Sequence, residues 1–400
     1  MGAHKNDNEP VNAILLTYIN EPSFIGRYIV KLKPELMYKA KNIRKDNLPR
    51  CPPNKIPINL HPPLAISMKL SLGITHISKL RLIIQSLFAV FCLITGLQFY
   101  QFYLWATNAS AQISRRPPAV EAFLPLGALV SLKRLLLSGE YDTIHPAGLT
   151  IFLAALFLGL FLRKGFCGWI CPIGFASNLA EKIGRKLHIL QTIPFWIDLP
   201  LLSLKYLLLA TFSWLILWKM NLQELTSFHY SSYNMISDAK MLHFFLEPSR
   251  LAGSTMLILV ILSFIVKNLW CRYLCPHGAL LGLLAILSPF QIKRNQNLCI
   301  NCKKCETVCP ASIQITSRQT VRNCECIGCL ECLPVCPQKE CLQLTLPGKP
   351  PVQALLLPVL VIGFFLLFWL LARITDHWQS QISAETFQHY YQQLGSIGHP

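Results

Sequence analysis

The sequence predicts an all-α polytopic membrane protein of about five spanning helices, with a small α+β domain inserted before the last of them. Three observations carry that prediction. Apolar residues make up 52% of the 400 residues and charged residues only 14%, where a soluble domain averages about 25% charged. The mean hydropathy is +0.41. Nine of the 16 cysteines crowd into residues 299–336, between two apolar runs. Together these exclude a disordered chain, a collagen and a simple soluble enzyme.

Residues 1–67 are polar, basic and proline-rich around CPPNKIPINLHPP, with no sustained period, and read as a loosely ordered tail. Met68 is a second candidate start, which would leave 1–67 untranslated; an intact mass that includes them excludes this. The first 30 residues hold no unbroken apolar core followed by a small-residue cleavage site. A secreted disulfide scaffold is therefore not expected, and the cysteines read as thiolate ligands in a reducing compartment.

The membrane domain is expected over 68–290. Crossing a hydrocarbon core of about 30 Å takes roughly 20 apolar residues. The first run, 82–105, ends in aromatics suited to an interface. The second is 146–162. The third, 199–218, contains Lys205, expected to snorkel from a helix end. The fourth is 251–269, and ALLGLLAILSPF at 279–290 is too short to cross and reads as re-entrant or interfacial. The fifth, 352–372, lies within 348–373 and is expected to kink at Pro358. Residues 291–347 form the inserted domain and 374–400 a terminal tail.

Charge orients these runs. With the N-terminus in the cytoplasm, the inside segments 1–81, 163–197 and 267–351 carry 28 Lys and Arg, and the outside segments carry 8. That follows the positive-inside rule. It puts 291–347 in the cytoplasm and the tail 374–400 outside. The net charge of +18 then reads as topology, and no nucleic-acid partner is needed to explain it. There is also an internal repeat, RKGFCGWICPIG at 163–174 and KNLWCRYLCPHG at 267–278, each after an apolar run.

Cys299, Cys302, Cys305 and Cys309 follow C-x2-C-x2-C-x3-C-P, closed by Pro310. Cys326, Cys329, Cys332 and Cys336 repeat the pattern before Pro337. This is the bacterial two-cluster ferredoxin spacing, in which three thiolates hold one [4Fe–4S] cube and the fourth reaches the other. Cys299, Cys302, Cys305 and Cys336 are thus assigned to one cluster, and Cys326, Cys329, Cys332 and Cys309 to the second. Zinc ribbons use two separated C-x2-C knuckles, a different pattern. The inserted domain therefore reads as a small α+β two-[4Fe–4S] ferredoxin-like domain, too short for a large core, with clusters in its place. Cys324 and Cys341 flank the second motif; ordinary free thiols are the plainer reading, alternative ligands the other.

Cys167 with Cys171, and Cys271 with Cys275, form C-x3-C-P pairs just past two apolar runs. Spacing i, i+4 puts each pair on one helix face, and the proline suits the first position of a new helix. Cys171 and Cys275 are then expected at helix N-termini that favour thiolate, with Arg163, Lys164 and Arg272 adding positive potential. Two such pairs meeting on a pseudo-twofold axis would make a four-thiolate metal or cluster site; redox dithiols or copper ligands are alternatives. Buried packing thiols are the plain reading, which repetition disfavours. His145 and His229, in loops between runs, are candidates for a quinol site or haem, and His277 for tuning the thiols of Cys275. Cys51 and Cys92 have no partner spacing. No catalytic residue is assigned. No phosphate loop, Rossmann fingerprint or triad pattern occurs, which argues against nicotinamide, flavin dinucleotide or ATP chemistry.

GFCGWICPIG, WCRYLCPHGAL and the two C-x2-C-x2-C-x3-C-P motifs together resemble the membrane polyferredoxin family. That family includes NapH-type quinol dehydrogenase subunits, the membrane part of NosR-type proteins and CcoG-type copper reductases. The resemblance covers about 68–400. RPPAVEAFLPLGALVSLK and the ending IGHP are similar to its YccM-type branch. It implies an electron carrier in the bacterial cytoplasmic (inner) membrane, with two [4Fe–4S] clusters, working between the quinone pool and a redox partner protein. The chain departs from the NapH type by a fifth run and a tail, and from the copper reductases by lacking a large C-terminal extracytoplasmic domain. A copper or metal reductase using the C-x3-C-P thiols, and a redox-sensing assembly factor, are the alternative readings.

Overall fold

The computed structural model describes residues 76–191 and 193–398. The expected tail 1–67, with Met68 and Cys51, lies outside the described residues. Helix α1 (Ile77–Ala106) is 30 residues long, about 45 Å at the α-helical rise. It is apolar nearly all round, and Leu87, Leu93 and Leu97 stay exposed, as lipid-facing residues do. A 3-10 turn (Pro118–Phe123) leads to α2 (Pro125–Ser138), which stops at Gly139 with φ 76°, the left-handed cap that glycine adopts freely.

α3 (Pro146–Phe161) starts with its proline at the first helical position and has eleven of its sixteen residues buried. It is the central helix, packed by α2, the 3-10 turn and two later helices, Pro276–Ala285 and Leu356–Ile374. Its small residues permit this: a Cβ on Gly159 would stand 3.1 Å from a methyl of Leu281. α4 (Pro172–Lys186) follows, then α5 (Phe195–Ser213), which runs on as a π turn (Trp214–Lys219). Short helices α6 (Leu222–His229), α7 (Ser232–Met235) and α8 (Ser237–Leu246) precede α9 (Arg250–Ile265), none of whose residues is buried. α10 (Pro276–Ala285) closes this part.

Residues 291–347 hold β1 (Gln291–Arg294), α11 (Lys304–Thr307), β2 (Thr320–Val321) and β3 (Leu342–Thr345). The strands form an antiparallel sheet in the order β2-β1-β3, with Ile292 facing Val321 on one side and Leu344 on the other. α12 (Leu356–Ile374) and α13 (Ala384–Gln392) end the chain.

The described residues are mostly helical, and among them three helices are long and apolar enough to cross a membrane: α1, residues 196–219, and α12. A fourth is reached if α8 and α9, bent by 78°, count as one broken span. These carry the runs 82–105, 199–218, 352–372 and most of 251–269. The run 146–162 forms a 16-residue helix, shorter than spanning length, and 279–290 begins within α10, half of whose residues are buried.

Two expectations are corrected. Pro358 lies in the first turn of α12, where the missing N–H breaks no intrahelical bond, so it need not kink the helix; the interior proline is Pro200 in α5. Lys205 does not snorkel. It is fully buried and paired with Glu325 at 2.6 Å.

One continuous core joins the cysteine-rich segment to the helices. Ile292, Ile313, Ile315, Val321, Leu330 and Leu344 pack in the same cluster as Leu158, Trp169, Leu357 and Val361. A segment this short gains its core by sharing one. At the far end of α1, Phe99 and Phe102 pack with Phe387 and Tyr391 of α13.

Candidate functional site

The eight motif cysteines line two cavities. Cys299, Cys302, Cys305 and Cys336 line one cavity of about 330 Å³, with Arg294, Thr316 and Leu342 in its wall. Cys309, Cys326, Cys329 and Cys332 line another of about 430 Å³, walled by Ile292, Ile313, Ile315, Val321 and Leu330. The fourth cysteine of each motif therefore crosses to the other motif's cavity. Local backbone explains the shape. Asn301 and Lys303 in the first motif, and Gly328 and Leu330 in the second, have φ between 53° and 63°. These are the same two positions of each copy, either side of the second cysteine. Left-handed residues there curl the C-x2-C-x2-C loop and turn backbone N–H groups inward, a concavity suited to an anionic group.

The donor set fits [4Fe–4S] clusters: five free thiols line the first cavity and four the second, with no carboxylate or imidazole among the lining residues. Among the described residues, no three His, Cys, Asp or Glu side chains form a group for a single metal ion. Zinc needs its sulfurs about 2.3 Å from one ion, whereas a cube distributes four thiolates over its irons. Arg163, expected beside the C-x3-C-P thiols, goes instead to this segment. Its guanidinium donates to the carbonyls of Val321 (2.8 Å) and Ala285 (3.3 Å). Burial opposes a thiolate at Cys326, but Arg163 outweighs it and holds that thiol below the usual range.

The C-x3-C-P pairs are built alike. Each first cysteine rides a π turn, Phe166–Ile170 or Trp270–Leu274, a wide turn rather than the α turn expected from i, i+4 spacing, and one often found at functional sites. Cys171 and Cys275 leave it in extended conformation and cap α4 and α10, with Pro172 and Pro276 at the first helical position as expected. Cys275 Sγ accepts the Gly278 N–H at 3.2 Å. Gly174 and Gly278 extend the motif to C-x3-C-P-x-G. A Cβ on Gly174 would stand 2.7 Å from the Cys167 carbonyl oxygen, and one on Gly278 3.5 Å from Cys275 Sγ.

The four thiols are electrostatic neighbours: Cys167 feels Lys164, Cys171, Cys275 and Cys271. Burial pushes Cys171 up to about 11 and Cys271 up to about 12, and the other thiols add to it. This corrects the expectation of a free thiolate at Cys171, at the start of α4. Burial outweighs the backbone N–H groups, and joint ionisation needs a compensating positive charge. Of the three expected cations only Lys164 remains near, since Arg272 pairs with Asp198 at 2.8 Å. His277 lies between Phe152 and Phe166, and its Nδ1 is buried without a hydrogen-bond partner among the described residues.

The two kinds of motif touch. Gly168, between Cys167 and Cys171, is packed so closely that a Cβ would collide with the carbonyl oxygen of Ile327, between Cys326 and Cys329. Trp169 Nε1 donates to the Gly328 carbonyl at 3.1 Å. Arg81 donates to the Gly168 carbonyl at 2.9 Å and pairs with Glu331 at 3.2 Å. Beside this seam Glu325 accepts from Lys205 (2.6 Å) and Tyr206 (2.7 Å), with Lys164 at 3.8 Å. Burial opposes its charge, but the two lysines hold its carboxyl down at about 2. Sequence reasoning missed Glu325; the signal was Lys205, a lone charge in an apolar run that needs a partner.

The other candidates are placed elsewhere. Cys324 accepts from Tyr206 at 3.2 Å and lines neither cavity, while Cys341 lines the first. Cys92 lies half-buried in α1. His145 and His229 sit in a polar network with Arg116, Glu121, Asp142 and Asp238. His145 has both ring nitrogens engaged, by Arg116 (3.2 Å) and the Asn234 carbonyl (2.8 Å), and His229 lies 3.8 Å from Asp142. With both nitrogens engaged, His145 offers no free one for haem.

A family model described as a 4Fe–4S binding domain matches the chain twice, at residues 144–189 and 251–295. These are the two C-x3-C-P units, so the internal repeat is matched as well. Over 310 residues the chain is 34% identical to YccM of Escherichia coli (strain K12), a protein named for electron transport, covering 74% of this chain and 86% of that one. It is 30% identical over 171 residues to the ferredoxin-type protein NapH of Haemophilus influenzae, covering 41% and 55%. It is 31% identical over 161 residues to the regulatory protein NosR of Pseudomonas aeruginosa, covering 40% and 21%. No solved structure matches the chain.

Proposed function

Because the chain belongs to the YccM family of 4Fe–4S, ferredoxin-type membrane electron-transport proteins, we propose that it passes electrons between the quinone pool and a redox partner through two [4Fe–4S] clusters. Cys299, Cys302, Cys305 and Cys336 hold one cluster, and Cys309, Cys326, Cys329 and Cys332 the other. The observation that carries this reading is the seam at Gly168 and Ile327. It sets the wall of the second cavity directly on a C-x3-C-P turn, which supports a path through the cysteine sites in series. Bound clusters supply reversible one-electron transfer.

The chain's own residues prepare that path. The first cavity lies at the exposed side, with Ile300 47% exposed, and suits contact with a partner protein. Buried Leu330, Val321 and Ile315 exclude water from the second. Lys164 and Arg163 supply positive charge on the two sides of the seam. We further propose that Cys167, Cys171, Cys271 and Cys275 hold an additional cluster or metal, whose charge lets the four half-buried thiols ionise together. Quinone would bind among the helices near these turns. In this reading five runs cross a bacterial inner membrane, α3 as a short central crossing, with 291–347 in the cytoplasm and α13 outside.

Anaerobic iron and sulfide analysis tests it, with about eight of each per chain expected from the ferredoxin cysteines and about twelve if the four-thiol site is also loaded. Reduction of the clusters by menaquinol, followed by EPR in wild type and Cys171→Ser, tests the quinone link. About four iron atoms, or zinc, refutes the two-cluster assignment. The soft four-thiol site also suits Cu(I). Formation of Cu(I) from Cu(II) without quinol-linked cluster reduction would favour a metal reductase instead.

A further inference from the structure

The first cavity is lined by five cysteines, one more than a cube needs. The fifth is Cys341, only 2% exposed, in the same wall as Cys299, Cys302, Cys305 and Cys336. We propose that Cys341 is a reserve ligand of the first cluster, competent to hold the iron that Cys336 otherwise holds. This rests on the reading that a cluster occupies that cavity.

Position is the first argument. Cys341 immediately precedes β3, and its carbonyl accepts the Asn295 N–H at 2.8 Å just past β1. It is therefore anchored by the sheet. Cys336 is less buried and stands on the loop five residues earlier. Only a short turn joins the two, closed by the Cys341 N–H on the Gln338 carbonyl at 3.3 Å and by Glu340 in left-handed conformation. Exchange asks that turn to shift and leaves the sheet in place.

Chemistry is the second. The Cys341 thiol donates only a long contact, 3.6 Å, to the Asn295 carbonyl. Cys336 and Cys299, two of the cluster ligands in that wall, are its sulfur neighbours. In the exchange Cys341 loses its proton and forms a sulfur–iron bond, while the bond to Cys336 breaks and Cys336 takes up a proton. No electron moves and no oxidant is required. Cys324, equally close to a motif in sequence, lines neither cavity and has no such role.

The test uses the full-length protein purified anaerobically, read by iron and sulfide content and by EPR of the reduced sample. Cys341→Ala is expected to keep the wild-type content. Cys336→Ala is expected to keep it too, with an altered EPR signal. Cys336→Ala/Cys341→Ala is expected to lose about four iron atoms, one cube's worth, as is Cys302→Ala. Loss of four iron atoms in Cys336→Ala alone overturns the proposal, as does full retention in the double variant. Failure of Cys336→Ala to accumulate while Cys341→Ala does so counts the same way, since a competent reserve would keep the segment folded. If wild type itself carries about four iron atoms and Cys302→Ala changes nothing, it is the cluster in this cavity that fails, and the two failures are told apart.

Discussion

Lys205 and Glu325 are the residues on which the seam between helices and cysteine-rich segment turns. Both are buried, and they meet across 120 positions of sequence at 2.6 Å. Breaking a buried pair leaves one charge uncompensated and costs about 3–5 kcal/mol. Lys205→Met is expected to fall toward the lower end, because Lys164 remains 3.8 Å from Glu325. Thermal unfolding in detergent checks this, and Lys205→Met/Glu325→Gln is expected to recover part of the loss. Gly168 is the other decisive residue. Gly168→Ala puts a methyl against the Ile327 carbonyl, backbone that cannot swing aside, and overpacking of this kind costs about 1–3 kcal/mol. The expected result is faster proteolysis between 291 and 347 with the helices intact; an unchanged digestion pattern would contradict the close seam.

Elements show what hydropathy can and cannot reveal. The apolar runs of α1, α5 and α12 were legible because a lipid-facing helix needs only a long, uncharged stretch. The π turns were not, because a C-x3-C-P string is compatible with an α turn until Pro172 and Pro276 are seen packed at the helix starts that follow. α13 is a second case. Its residues lie in what reads as a polar tail, yet Tyr391 is buried and donates to Asp238 at 2.7 Å, and Phe387 packs on Phe102 and under Arg116. A hydrogen bond to a charged group contributes about 1.5–3 kcal/mol. Tyr391→Phe is therefore expected to raise hydrogen exchange in α13 and to lower the melting temperature, with no change in iron content.

For the whole molecule, the shared core has a consequence for metal loss. The segment 291–347 packs its cavities onto Trp169, Leu357 and Val361, so stripping iron with a chelator is expected to unfold the segment and expose Trp169, leaving most helical signal in place. Tryptophan fluorescence beside far-ultraviolet circular dichroism measures this; an unshifted tryptophan spectrum after iron loss would argue against shared packing. Topology is tested separately. A reporter fused after Gln392 is expected outside the cytoplasm if five runs cross with the N-terminus inside, and a cytoplasmic reporter would require an even number.

The sequence by itself determined the membrane class, the repeated C-x3-C-P units and the two C-x2-C-x2-C-x3-C-P motifs. Those follow from local facts: an apolar run is apolar wherever it lies, and the loop closed by C-x2-C-x2-C reaches only so far. Tertiary structure alone decided that Lys205 meets Glu325, that Arg163 serves Cys326 rather than the nearby C-x3-C-P thiols, that Ile327 sits on Gly168, and that Cys341 but not Cys324 joins a cavity. Each depends on which distant segment arrives alongside. Arg163 and Cys341 stand next to motifs in the chain, but a side chain's partner is set by burial and packing across the fold, and sequence proximity does not encode that.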